Sequence, residues 1–130
     1  MNVKQYLKQY AGLQATTAAD LKLLRKLQQF ADSIPPGFHG GRADKALGKA
    51  NAMKNKVADD ISRATTLCAR IREQIAAVPD PVQQGILTRR YLVGDSWDVI
   101  SFDLEFTFQW VHVLHHRALE AFEEIHKGQY

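Results

Sequence analysis

Apolar residues recur at helical spacing along the first part of the chain. Steps of three, four or seven connect one set of positions, and the set forms a single stripe on a helix surface. Its members are Tyr6, Tyr10, Leu13, Thr17, Leu24, Leu27, Ala31 and Ile34. The pattern predicts one helix, or two helices bent near Gly12. Pro35, Pro36 and Gly37 end it, because proline cannot continue the hydrogen-bond ladder, and residues 33–43 are predicted to be a loop.

A second and longer stripe runs from Asp44 to Val78, where the sequence contains no proline. Its apolar positions are Ala46, Ala50, Met53, Val57, Ile61, Ala64, Cys68, Ile71, Ile75 and Val78. A helix of this length needs a partner to cover so long a stripe, and the first helical region is the nearest candidate. We expect a coiled-coil-like antiparallel hairpin. Association of two copies through the same stripe is the competing way to bury it.

A new helix is predicted to begin at Asp80-Pro81, since aspartate is a favoured N-cap and proline fits the first helical position. This third helix is expected to end at Gly94-Asp95. The residues expected to face inward from it are Val82, Ile86, Leu87 and Leu92.

Two further helices follow with only a short turn between them. Ser96 can cap the first, which turns Trp97, Ile100 and Leu104 inward, and Trp97 is expected to anchor its core. Thr107 can cap the second, which is expected to reach the neighbourhood of Lys127. Its inward positions are Val111, Leu114 or His115, Ala118 and Phe122. This layout is that of a helix-turn-helix, in which the outer face of the second helix is open to a partner.

The predicted fold is therefore all-α. A long antiparallel helical hairpin over residues 1–78 is followed by a helix-turn-helix unit over residues 79–130. A hydrophobic fraction of 45% and a charged fraction of 24% are typical of a folded globular chain. No apolar run approaches the roughly 18 residues that a membrane span needs, so no membrane association is expected.

The composition also bears on location and on chemistry. Cys68 is the only cysteine, and the first ten residues lack the apolar stretch of a signal peptide, so a reducing, cytoplasmic location is expected. No Ser/His/Asp set, paired carboxylates or nucleotide motif occurs, and we expect neither an enzyme nor a cofactor. His112 and His116 have a spacing that suits zinc, but no further ligands accompany them, so no metal site is expected.

The charge is divided unevenly between the two halves. Residues 1–80 hold 13 basic and 7 acidic residues, whereas residues 81–130 hold 4 basic and 7 acidic residues. Proteins that bind nucleic acid usually concentrate positive charge where they meet phosphate. The acidic balance of the helix-turn-helix half therefore argues against simple DNA binding. A basic series from Arg42 to Arg70 on the long helix either follows phosphates or forms a solvated coiled-coil face.

The segment from Leu87 to Leu119, LTRRYLVGDSWDVISFDLEFTFQWVHVLHHRAL, resembles a known family. It is similar to the C-terminal part of the ArpU/RinA-type late-transcription regulators of Gram-positive prophages, whose helix-turn-helix is similar to region 4 of sigma-70-type factors. The resemblance implies a phage or prophage transcription regulator in the bacterial cytoplasm that binds promoter DNA, RNA polymerase, or both. It implies that Thr107 caps the recognition helix and that Gln109, Trp110, His112 and His116 face the DNA. It also implies that Arg89, Arg90 and Arg117 hold backbone phosphates.

The recognition helix departs from that family in its aromatic residues. Phe106, Phe108, Trp110 and Val113 stand where the family often has polar side chains, and they either form an exposed patch or pack partly into the core. Exposed apolar patches often mark protein interfaces. The alternative function is therefore a protein-interaction module, on a degenerate helix-turn-helix, that binds polymerase or another regulator. The small DNA-recognition subunit of a phage terminase is a third and weaker hypothesis, since in those proteins the helix-turn-helix commonly precedes the oligomerising helices.

Overall fold

The computed structural model describes residues 1–38 and 40–130, and every regular element within them is a helix. In chain order these are α1 (Val3–Asp32), α2 (Gly41–Ala76), α3 (Pro81–Leu87), a π-helical turn (Thr88–Val93), α4 (Trp97–Leu104) and α5 (Phe108–His126). The all-α prediction is confirmed, with two long helices followed by a C-terminal helical unit. His39, in the predicted interhelical loop, lies outside the described residues. No helix in the described part of the chain is long and apolar enough to cross a bilayer.

The chain contacts group the residues into two compact units. The first unit contains Met1–Gly12 and Thr66–Tyr130, and the second contains Leu13–Thr65. The sequence predicts a domain boundary between residues 78 and 79. The first unit also includes parts of α1 and α2, which precede that boundary. That predicted boundary remains a prediction.

The two long helices are antiparallel in each unit. In the first unit the hydroxyl of Tyr6 donates to Oε1 of Gln74 at 2.6 Å. In the second unit Lys56 forms an ion pair with Asp20. Residues early in α1 thus meet residues late in α2, and residues further along α1 meet earlier ones. α1 continues without a break through Gly12, so the first stripe lies on one helix and not on two bent helices.

Both predicted stripes are largely covered by protein, with one shift in register. All eight positions of the first stripe are buried or half-buried, and in the second only Ile61 is exposed. Asp60 faces inward instead. It lies three positions after Val57 and stays on the buried face of the helix, whereas Ile61, four positions after Val57, falls outside that face. Lys56 and Arg63, one turn to either side, form ion pairs with its buried carboxylate. These hydrogen bonds hold the pKa of Asp60 below its usual value.

The core of the first unit joins α1, α2 and the C-terminal helices. Its buried residues are Val3, Tyr6, Leu7, Ile71, Ile75, Val78, Leu87, Tyr91, Ala118 and Phe122. Leu92 packs against this cluster as predicted, whereas Val82 is exposed, which corrects the expectation that it faces inward. At the C-terminal end, Nε2 of His126 donates to the main-chain oxygen of Gln74 at 2.6 Å. This bond fastens the last turn of α5 to α2.

A π-helical turn replaces the end of the predicted third helix. α3 begins as predicted, with the Asp80 carboxylate accepting from the amides of Val82 and Gln83 at 2.8 and 3.2 Å. After Leu87 the chain widens into the π-helical turn, which ends at Gly94 with φ of 88°. The main-chain oxygen of Arg89 accepts from the amides of both Gly94 and Asp95 at 2.9 Å. Only glycine adopts such a left-handed conformation without steric cost, so Gly94 fits the end of the turn.

Candidate functional site

Helices α4 and α5 form the predicted helix-turn-helix, and side-chain caps fix both helix starts. Oγ of Ser96 accepts from the amide of Val99 at 3.2 Å, and Oγ1 of Thr107 accepts from the amide of Trp110 at 3.1 Å. Each cap satisfies one of the amides that a helix start leaves without a partner. Both caps were predicted from the sequence and are confirmed.

The turn between the helices depends on a non-glycine residue in a left-handed conformation. Glu105 has φ of 57° and ψ of 34°, and its amide donates to the main-chain oxygen of Phe102 at 3.2 Å. The amide of Phe106 donates to the oxygen of Ser101 at 3.1 Å, which closes the end of α4. The turn between α4 and the Thr107 cap of α5 therefore takes only two residues, Glu105 and Phe106. The left-handed conformation costs about 1–2 kcal/mol for a residue with a Cβ.

A small apolar cluster holds the motif together. Ile86 of α3, Ile100 of α4 and Val111 of α5 are fully buried against one another, and the half-buried residues packed around them are Trp97, Leu104, Phe106 and Leu114. Trp97 thus packs against this core as expected, while part of its surface stays exposed to solvent. Phe106 is likewise partly absorbed into the core, so less of its ring is available to a partner.

The N-terminal half of α5 presents an outer face to solvent. Gln109 is exposed, and Phe108, Trp110 and Val113 retain 50%, 41% and 41% of their accessible surface. The guanidinium of Arg117 lies 5.4 Å from the centre of the Trp110 ring, a cation–π distance. The face thus mixes one amide, one cation and three large apolar side chains.

Both histidines that were predicted to face DNA have partners within the protein. The ring of His112 lies between those of Trp97 and Phe108, at centroid distances of 4.9 and 4.4 Å. Nε2 of His116 lies 2.8 Å from a carboxylate oxygen of Glu120, and both side chains are exposed. His112 therefore packs against the aromatic side chains of this surface, while His116 is exposed and pairs with Glu120 one turn further along α5. Within the described residues, no group of three or more potential ligands is placed to hold a metal ion.

The adjacent arginines before Tyr91 have different surroundings. Arg89 bonds to the carboxylates of Asp95, at 2.8 Å, and Asp103, and these two bonds raise its pKa, the bond to Asp103 most strongly. Arg90 has a backbone partner instead, since it donates to the main-chain oxygen of Asp95 at 3.2 Å. Its guanidinium stacks over Trp97 at 4.6 Å. Arg89 is thus paired with two carboxylates, whereas Arg90 has no carboxylate partner among the residues that the structure describes.

Behind this surface lies a buried Tyr91–His115 pair that sequence reasoning did not find. The Tyr91 hydroxyl is 2.7 Å from Nε2 of His115, and the edge of the Trp97 ring system packs against the imidazole at 4.5 Å. Burial lowers the pKa of His115 to about 4, with smaller contributions from nearby positive charges of which Lys4 is the largest. Burial also raises the pKa of Tyr91 to about 12. Both groups are therefore neutral at pH 7, and a polar pair joins the π-helical turn to α5.

Five of the seven acidic residues of this half are paired with Arg89 or lie in the second half of α5, whereas Asp98 and Glu105 are exposed near the helix starts. Asp95 and Asp103 are occupied by Arg89. Along α5 the first carboxylate is Glu120, and the other acidic residues, Glu123 and Glu124, line a shallow pocket with it near the C-terminal end. The first three turns of α5 thus carry no acidic residue, although part of the negative balance predicted to oppose nucleic-acid binding remains beside the start of α5, at Glu105.

No protein family, curated protein or solved structure gives a match to the chain.

Proposed function

We propose that the protein is a phage or prophage transcription regulator, resembling the ArpU/RinA-type regulators, that binds promoter DNA through α4 and α5. The observation that carries the proposal is the start of α5, where a left-handed turn at Glu105 and a Thr107 cap leave an exposed helix face. No acidic residue interrupts that face before Glu120. A helix presented in this way fits the major groove, with its N-terminal residues nearest to the bases.

The residues of α5 take distinct roles in this proposal. Gln109 is the base-reading side chain, because its amide offers the donor and acceptor that adenine presents in the major groove. Arg117, held against Trp110, contacts a phosphate, and His116 lies beside it on the same face. Thr107 acts through its cap, and His112 acts by supporting the Trp97 and Phe108 rings. Arg90 replaces Arg89 as the arginine that contacts the backbone, since Arg89 is already paired twice.

Selection of binding sites from a pool of random duplexes tests this function without knowledge of the promoter. We expect the protein to enrich a defined sequence, and Gln109→Ala to weaken binding to it by about 1–3 kcal/mol, the usual value of one bidentate base contact. The matched control is Gln28→Ala, which removes an exposed glutamine from the second unit. Failure to enrich any sequence at low salt would rule out this function.

A second function, docking onto RNA polymerase or another regulator, has its own supporting observation. Phe102 on α4 is 83% exposed, and Phe108, Trp110 and Val113 add further apolar surface on α5. Exposed aromatic residues often anchor protein interfaces, where single side chains contribute at least about 2 kcal/mol. Trp110→Ala should then abolish copurification with purified polymerase core, while Gln109→Ala should leave it unchanged. The opposite pattern would favour DNA reading alone.

A further inference from the structure

A cleft in the first unit has a lining that neither the helix-turn-helix nor the sequence patterns explain. It has a volume of about 490 Å³. The residues that line it are Lys8, Ala11 and Gly12 of α1, with Arg90, Tyr91 and Gly94 around the π-helical turn. The three α1 residues are spaced by three and four, so they share one helix face. The cleft therefore lies between the N-terminal part of α1 and Arg90, which stacks on Trp97, the first residue of α4.

The charge of the cleft is positive. Two of its lining residues are cations, and none of the lining residues that the structure describes is acidic. Lys8 is exposed, and in the described part of the chain it forms no ion pair. Arg90 is held in place by its stacking on Trp97 and by its single bond to the main-chain oxygen of Asp95, so the remaining guanidinium donors need other partners. A preorganised arginine and an exposed lysine that line one cleft suit an anion with several oxygens.

Two glycines keep the cleft open. At Gly94 the left-handed backbone already favours glycine. At Gly12 the backbone is helical, where glycine is about 1 kcal/mol less favourable than alanine, and an added Cβ would meet no atom within 4 Å. Neither backbone geometry nor close packing therefore explains Gly12. Its effect at this position is to leave the α1 wall of the cleft without a side chain.

We propose that this cleft binds one phosphate group of a nucleic-acid backbone, with Lys8 and Arg90 as its two cationic contacts. The proposal rests on the proposed function and adds to it a contact from the first helix of the chain. Arginine and lysine supply most contacts of proteins to DNA phosphates, and such contacts fix the orientation of the protein on the duplex without reading sequence. Lys8 would thus help to set how α5 enters the groove.

Because phosphate contacts are independent of sequence, a duplex of arbitrary sequence is a sufficient probe. Binding is measured by fluorescence anisotropy between 50 and 200 mM salt, as the slope of log affinity against log salt concentration. Lys8→Gln and Arg90→Gln should each make the slope less steep by about 0.9, the change expected for one lost phosphate contact. Arg72→Gln is the matched control, since Arg72 is an exposed cation of α2 outside the cleft, and it should keep the wild-type slope.

The outcomes separate this inference from the proposed function. If the wild-type protein binds duplex DNA and Lys8→Gln behaves like Arg72→Gln, the cleft assignment is overturned while DNA binding stands. If the wild-type protein binds no duplex even at 50 mM salt, both fail. Lys8 is exposed, so Lys8→Gln should fold normally. If Arg90→Gln unfolds the protein, the slope of Lys8→Gln alone decides the assignment. A second arm adds inorganic phosphate and follows the amides of Gly12 and Gly94 by NMR. Saturable shifts there, with an unchanged DNA slope in Lys8→Gln, would mean a site for free phosphate and would also overturn the assignment.

Discussion

Replacement of His115 by glutamine should make the protein more resistant to acid. His115 is neutral in the folded protein because burial lowers its pKa to about 4, whereas in the unfolded chain its pKa returns to about 6.5. Protonation therefore favours the unfolded state. The stability that the neutral ring contributes is fully present above pH 6.5 and is lost as the pH falls toward 4.

The size of the effect follows from the two pKa values. At pH 4.5 the unfolded chain is almost fully protonated at this position and the folded protein is mostly not. This difference destabilises the folded state by about 2.5 kcal/mol relative to pH 7.5. Glutamine does not titrate, and its amide can still reach the Tyr91 hydroxyl. His115→Gln should lose some stability at pH 7.5, because the ring contact with Trp97 at 4.5 Å disappears, but it should escape the additional loss at low pH.

The assay is urea denaturation at pH 7.5 and pH 4.5, followed by tryptophan fluorescence because Trp97 packs directly on His115. The quantity compared is the change in unfolding free energy between the two pH values, so that carboxylates common to both proteins cancel. His116→Gln, at an exposed neighbouring histidine, serves as the control and should retain the wild-type loss. An equal loss in wild type and His115→Gln would refute the argument that a buried neutral imidazole makes the fold sensitive to acid.

Three further predictions concern stability and are measured by thermal or urea unfolding. Thr107→Ala should destabilise the protein by about 1 kcal/mol, while Thr107→Ser should have little effect, because serine keeps the oxygen that caps α5; equal losses would exclude a capping role. Phe122→Ala should cost about 3–5 kcal/mol, since the ring is fully buried where α5 meets α1 and α2, and a loss below 1 kcal/mol would contradict that packing. Glu105→Gly should stabilise the protein by up to about 1 kcal/mol by relieving the left-handed strain at φ 57°, and a clear destabilisation would show that the Glu105 side chain has another role.

Much of the helical framework was accessible from the sequence because local chemistry determines it. Asp80, Ser96 and Thr107 were identified as caps from residue type and position alone, and each accepts a helix amide in the structure. The apolar stripes located the hairpin for a similar reason, since burial follows helical periodicity. The exception at Ile61 arose because apolar spacing cannot anticipate that a buried carboxylate, Asp60, occupies the inward position with two basic partners.

The chemistry of the candidate site was less predictable, since it depends on contacts between distant segments. Arg89 and Arg90 are equivalent in the sequence, and only the folded positions of Asp95 and Asp103 make Arg89 the one that is paired with carboxylates. Nothing in the local pattern separates a π-helical turn from the end of an α-helix. Lys8 was missed because its proximity to Arg90 depends on how α1 packs in the folded unit. The family resemblance and the function remain predictions.

The uneven distribution of charge along α5 has a consequence for the rate of association. The positive end of the helix dipole lies at its start and Arg117 lies at its middle, whereas Glu120, Glu123 and Glu124 lie in its second half. A polyanion attracts the first part and repels the second, so the approaching molecule experiences a torque before any atom touches. The torque turns the start of α5 toward the anion and its acidic end away. If the protein binds DNA as proposed, productive collisions should therefore be more frequent at low ionic strength, and the advantage should disappear as salt shortens the range of the field.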